Sequence, residues 1–114
     1  MAEKARDHKR EHGRLKVAVD GQYRFTDGED WMPCSLIDIS TRGMALVGKK
    51  SFYQGDKIEV RFVLEKRHVH AQVEITNLIG KKAGGRITVM SDADRDLIQE
   101  TLNRELLSGN TPLQ

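Results

Sequence analysis

Two stretches of sequence decide the fold, IEVRFVL at residues 58–64 and HVHAQVEI at residues 68–75. In both, apolar residues alternate with polar ones, which is typical of a strand with one face in a core and the other in solvent. The segment between them is too short for a crossover connection, so it can only reverse the chain. The sequence therefore predicts an antiparallel hairpin here.

The same alternation continues on both sides of this hairpin. It predicts a long half-buried strand at residues 15–25, ended by a turn at residues 26–30 that is rich in Asp and Gly. Three further extended segments are predicted at residues 31–37, 44–47 and 83–90. About six strands result, and no helix is predicted between any two of them.

The end of the chain has a helical pattern instead. Ser91 can cap a helix N-terminus, and the acidic residues that follow it suit the positive end of the helix dipole. The predicted helix covers about residues 91–107, with Gly109 as a stop signal and an apolar face of Leu97, Ile98, Thr101, Leu102 and Leu106. Strands followed by one helix favour an all-β barrel or sandwich with a C-terminal helix.

Length and charge limit the architecture and the partners. The 114 residues suit one domain. With 19 Lys and Arg against 17 Asp and Glu, the net charge is only +2, far below the excess that a dedicated nucleic-acid coat protein usually shows, and it does not favour nucleic acid as a partner. The basic excess lies at the N-terminus. We expect residues 1–14 to form a flexible basic arm, residues 15–109 the β-domain with its helix, and residues 110–114 a tail.

Cysteine content and hydropathy predict the compartment. The single cysteine, Cys34, cannot form an internal disulfide and is expected to be a small buried side chain. No apolar run approaches the roughly 20 residues that span a bilayer, and the charged N-terminus does not resemble a signal peptide. These features predict a cytoplasmic protein without membrane insertion.

Two short motifs are not explained by the strand pattern. REHGR at residues 10–14 immediately precedes the first strand, and DISTRG at residues 38–43 separates two strands. They resemble the RxxxR and [D/N]xSxxG signatures of the PilZ family, in the order and context of that family. The resemblance extends from about Lys9 to Leu107. It implies a six-stranded antiparallel β-barrel of the split-barrel type that binds cyclic di-GMP.

The chemistry of the motifs suits that ligand. A guanidinium can bind a phosphate, or the O6 and N7 edge of guanine, through two parallel hydrogen bonds, and a carboxylate can accept from guanine N1 and N2. The resemblance implies a site of Arg10, Arg14, Asp38, Ser40 and Gly43, with Lys9 and Arg42 as further candidates. In the family, the position of Lys9 influences whether one nucleotide or a stacked pair binds. In some members, an aromatic residue of the fifth strand also stacks on guanine. The corresponding residues 73–77 of this sequence offer only Ile75 and Asn77.

The functional hypothesis is a cyclic di-GMP receptor that signals to an unidentified protein by ordering its N-terminal arm. The alternatives are a PilZ-like interaction module that is not gated by nucleotide, and a small barrel that binds single-stranded nucleic acid. No cofactor is expected, and no nucleophile or phosphate-loop motif predicts an enzyme. His68 and His70 share a strand face, but no further ligands complete a metal set, so no metal site is predicted.

Overall fold

The computed structural model describes residues 14–28 and 30–108, apart from the side chains of residues 106–108. Six antiparallel strands form a closed barrel in the order β1-β2-β3-β6-β5-β4. One helix, α1, follows them. The elements are β1 (Leu15–Phe25), β2 (Met32–Ile39), β3 (Gly43–Gly48), β4 (Lys57–Leu64), β5 (Arg67–Ile79), β6 (Lys82–Met90) and α1 (Asp92–Ser108). The predicted all-β fold with a C-terminal helix is confirmed, and it is a barrel rather than a sandwich.

The predicted antiparallel hairpin is formed by β4 and β5. Its pairs run from Lys57 opposite Glu74 to Leu64 opposite Arg67. The turn consists of Glu65 and Lys66, which have φ angles of 52° and 66°. Positive φ at both central positions is the type I′ geometry, whose twist matches that of the two strands.

The predicted ends of β2 and β5 and the predicted start of β6 were wrong. Asp38 and Ile39 belong to β2 and not to the loop, because Asp38 pairs with Lys16 on β1 and with Ala45 on β3. The loop between β2 and β3 is therefore only residues 40–42. Similarly, β5 continues to Ile79 and β6 begins at Lys82, since the exposed end of β5 still pairs with β6. Backbone pairing thus extends a strand beyond the point at which its side chains cease to alternate between buried and exposed.

The core fills the barrel and continues to α1. Side chains on the inward parity of β4 and β5 are buried as predicted, and Tyr23 on β1 is fully buried with its hydroxyl accepting from the Lys50 amide at 3.0 Å. Leu97, Ile98 and Leu102 of α1 pack onto this cluster. The Asp94 amide donates to the Ser91 hydroxyl at 3.1 Å, which confirms the predicted cap. Gly109 lies outside the described residues.

Cys34 is buried on β2, as expected. Burial, and secondarily the charge of Asp20, raise the pKa of its thiol to about 11. The thiolate needed for nucleophilic or redox chemistry is therefore scarce at neutral pH. Among the described residues, no helix has both the length and the apolar character needed to cross a membrane.

Candidate functional site

A groove of about 750 Å³ lies on one wall of the barrel, where β3 pairs with β6. One side consists of the end of β2, the turn at residues 40–42 and the start of β3. The other side consists of the end of β5 and the start of β6. Arg14, Asp38, Ser40, Arg42 and Gly43 all line this groove. Arg10 and Lys9 lie outside the described residues.

Asp38 supplies the buried charge of the groove. Its side chain is only 6% exposed, whereas that of Arg14 is 53% exposed, and their closest N–O distance is 3.8 Å. Two charged groups at this distance attract each other only weakly, particularly when one of them is largely in solvent. The Arg14 guanidinium can therefore turn toward a ligand at small cost.

The hydroxyl of Ser40 holds the turn together. It accepts from the amides of Arg42 at 3.2 Å and Gly43 at 3.0 Å, and donates to the Gly43 carbonyl at 3.1 Å. The Ser40 amide also donates to that carbonyl, at 2.8 Å. These contacts use the full capacity of a hydroxyl, one donor and two acceptor positions. Ser40 thus shapes the groove through the turn it closes.

Gly43 is required by strand packing. A Cβ at this position would lie 2.6 Å from the carbonyl oxygen of Gly85 on β6. The absence of a side chain lets β3 and β6 approach beneath the groove. Gly43 therefore forms the floor of the groove and does not depend on a ligand for its role.

The far side of the groove includes basic groups that the two motifs did not indicate. Arg86 on β6 lies opposite Gly43, and its guanidinium donates to Glu74 at 2.8 Å while remaining mostly exposed. Lys82 also lines the groove. No local motif indicates either residue. Only the pairing of β3 with β6 in the barrel brings residues 82–86 beside the turn at residues 40–42.

The two positions considered on β5 differ in their accessibility. Ile75 is 1% exposed and belongs to the core, so it is not available to stack on a base. Asn77 is exposed and lines the groove, with its side chain close to Gly84. The β5 side of the groove therefore offers an amide rather than an aromatic ring.

The Arg95 side chain connects the turn to α1. The guanidinium of Arg95, in the first turns of the helix, donates to the Thr41 carbonyl. The Ile87 amide on β6 donates to the neighbouring carbonyl of Arg42 at 2.7 Å. The turn is thereby attached to both the barrel and the helix.

His68 and His70, the two histidines that share a strand face, do not belong to a possible metal-binding group in the described part of the chain. No group of three or more His, Cys, Asp or Glu side chains there could hold a metal ion. His70 instead lies 3.1 Å from Glu59, through Nε2 and Oε1.

Comparison with known proteins identifies what this architecture is similar to. A family model described as PilZ domain matches residues 6–104. The comparison with curated proteins gives no match.

Solved structures share the fold at low identity. The Bacillus subtilis inhibitor of motility MotI/DgrA has a TM-score of 0.72 at 16% identity, over 83% of this chain and 50% of its own. This chain thus spans about half the length of that protein. The PilZ domain of YcgR from Escherichia coli, with c-di-GMP, has a TM-score of 0.63 at 15% identity, over 85% of this chain and 93% of its own. The PilZ domain of CeSA from a cellulose-synthesizing bacterium has a TM-score of 0.61 at 13% identity, over 78% of this chain and 93% of its own.

Proposed function

The chain belongs to the PilZ domain family, and from this premise we propose that it is a receptor that binds cyclic di-GMP in the groove between the β2–β3 turn and β6. A structural neighbour, the PilZ domain of YcgR, is a complex with that nucleotide. The receptor passes the signal to a protein partner and leaves the nucleotide chemically intact.

The observation that carries this proposal is a buried carboxylate in a groove that is also lined by several basic side chains. Asp38 is the acceptor, and Arg14, Arg42, Lys82 and Arg86 line the same space. Cyclic di-GMP needs cations for two phosphates and an acceptor for the N1 and N2 donors of guanine. The volume of about 750 Å³ lies within the range of about 300 to 1,000 Å³ that is usual for ligand sites.

Each predicted site residue has a role in this proposal. Arg14, together with Arg10 from the N-terminal arm, binds phosphate or the guanine O6 and N7 edge. Asp38 reads the other guanine edge, while Ser40 and Gly43 hold the turn and floor in place. Arg42 is exposed at the rim and supplies a further cation. Lys9 affects how many nucleotides bind.

The signal arises from the arm. We propose that residues 1–14 become ordered when Arg10 and Arg14 close on the nucleotide, and that a partner recognises the result. We assign residues 15–109 to the barrel with its helix, and residues 110–114 to a tail. The protein works in the cytoplasm, where a buried unpaired thiol such as Cys34 is stable.

Calorimetric titration with cyclic di-GMP and cyclic di-AMP tests the binding proposal. Cyclic di-GMP should bind far more tightly, because adenine lacks the N1–H and N2–H groups that donate hydrogen bonds to the Asp38 carboxylate. Equal binding of the two would contradict the role of Asp38. Release of linear pGpG after prolonged incubation, detected by chromatography, would contradict the proposal that the nucleotide is left intact.

A further inference from the structure

Trp31 lies outside the core, although it is the only tryptophan in the chain. It is half-buried and precedes β2. Its ring is covered by charged side chains: the guanidinium carbon of Arg61 lies 3.9 Å and that of Arg24 4.7 Å from the ring centroid. The His70 ring is oriented edge-on to the indole, with 6.2 Å between the two ring centroids. The indole is therefore held by cation–π contacts rather than by apolar packing.

These side chains lie on one outer face of the barrel. Arg61 on β4 pairs with Gln22 on β1 and with His70 on β5, and Glu59 on β4 pairs with Arg24 on β1. We call this surface the Trp31 face; its members are Gln22, Arg24, Trp31, Glu59, Arg61 and His70.

The Trp31 face is remote from the groove. In the closed barrel, two strands separate β4 from β3 in either direction, and two separate β1 from β6. The central strands of the Trp31 face and those of the groove therefore lie on opposite walls.

The charges of the Trp31 face are unevenly paired. Glu59 accepts from Arg24 at 3.3 Å and lies 3.1 Å from His70, and the Asp94 carboxylate at the edge accepts from the His70 amide at 3.1 Å. Arg61 instead donates through Nε to the neutral Gln22, at 2.8 Å. Within the described residues, Arg61 has no carboxylate within ion-pair distance. Among the residues that the structure describes, a guanidinium without a carboxylate partner is thus fixed on an indole ring.

We propose that the Trp31 face is a docking surface for an acidic segment of a partner protein. An Asp or Glu side chain of that segment binds the terminal nitrogens of Arg61 through two parallel hydrogen bonds, and a neighbouring apolar side chain packs on the edge of Trp31. Charge complementarity selects the occupant, since Arg61 presents a guanidinium that forms no ion pair with a described carboxylate, while Glu59 and Asp94 already accept hydrogen bonds.

The composition and the rigidity of the surface suit this use. Tryptophan and arginine dominate the energetics of protein interfaces. Stacking on Trp31 and the bond to Gln22 hold the Arg61 side chain before a partner arrives, so less side-chain entropy is lost on binding. The inference does not depend on cyclic di-GMP, because no residue of the groove takes part.

The sole tryptophan provides the measurement. Fluorescence of Trp31 in the full chain is followed during titration with the blocked peptide DELED and with its neutral counterpart NQLQN. We expect a saturable change with DELED, with a dissociation constant near or below about 1 mM, and binding of NQLQN weaker by about tenfold or more. Arg61→Gln should abolish the preference for DELED, and Arg61→Lys should keep only part of it because a lysine cannot bind bidentately.

Arg67→Gln is the matched control. It removes the same charge from an exposed site at the start of β5 that is not in the Trp31 face, and it should leave DELED binding unchanged. Equal binding of both peptides, equal binding by the Arg61→Gln protein, or no saturable change would overturn the proposal. A response to oligo-dT in place of DELED would also overturn it and would assign the face to nucleic acid. Titration with cyclic di-GMP in parallel distinguishes failure of this proposal from failure of the groove.

Discussion

Asp38 combines deep burial with a charged partner that lies mostly in solvent. Its carboxylate is almost inaccessible, yet Arg14 is 3.8 Å away and 53% exposed. Such a pair contributes at most about 1 kcal/mol to folding. We therefore propose that the carboxylate at this position serves ligand binding rather than stability.

Asp38→Asn should weaken cyclic di-GMP binding by about tenfold to more than a hundredfold, since hydrogen bonds to a charged group contribute about 1.5 to 3 kcal/mol. Calorimetric titration measures the loss. Asp20→Asn, which removes an exposed carboxylate from β1, is the matched control and should bind normally. If the two variants bind equally well, Asp38 does not contact the nucleotide.

Gly43 and Gly84 line the same groove but differ in what a methyl group would meet. At Gly43 the new Cβ would lie 2.6 Å from a backbone oxygen, whereas at Gly84 it would lie 2.2 Å from the amide end of the flexible Asn77 side chain. Gly43→Ala should therefore lower the free energy of unfolding of the ligand-free protein by about 1 to 3 kcal/mol. Gly84→Ala should change it by about 0.5 kcal/mol or less, because Asn77 can rotate away. Urea denaturation compares them, and wild-type stability in Gly43→Ala would show that the position serves the ligand only.

At the scale of elements, Arg95 attaches the β2–β3 turn to α1. Its guanidinium donates to the Thr41 carbonyl across the interval between helix and turn. Arg95→Gln should loosen the turn and weaken cyclic di-GMP binding by between about twofold and about tenfold, the net effect of one hydrogen bond. Arg104→Gln breaks only an exposed ion pair with Glu65 and should leave the affinity unchanged. Equal affinities for the two variants would mean that the helix and the site are not coupled.

The Trp31 face makes part of the free energy of unfolding dependent on pH. Burial would raise the pKa of Glu59, but the hydrogen bond from His70 and the charge of Arg24 lower it below its ordinary value. A carboxyl with a lowered pKa in the folded state stabilises the protein above its unfolded-state pKa of about 4.3, and this contribution is lost as the pH falls through the folded-state value.

The wild-type protein should therefore be more stable than Glu59→Gln at about pH 7, and the difference should vanish in more acidic solution. Urea denaturation at several pH values measures it. Glu100→Gln, on the exposed side of α1, should parallel the wild type throughout. A difference for Glu59→Gln that persists unchanged in acid would contradict the ionic origin of the effect.

At the scale of the whole molecule, the elements that could be predicted are those encoded by alternating side chains and by a helix-capping residue. The β4–β5 hairpin, β1 and the Ser91 cap depend on neighbours along the chain, and all were predicted. The end of β2 was not, because a buried aspartate interrupts the pattern of side chains although the backbone pairing continues. Arg86 and Lys82 were missed as groove residues because their position beside the turn depends on the closure of the barrel. The Trp31 face arises in the same way, from pairs far apart in sequence.

Chemical-shift mapping of the backbone amides and the Trp31 indole during titration with cyclic di-GMP tests the central claim most directly. The account predicts that the largest shifts fall on residues 38–45 and 82–86, on both sides of the groove, while the Trp31 indole resonance stays in place. Shifts concentrated on the Trp31 face, or a spectrum unchanged at saturating nucleotide, would contradict it.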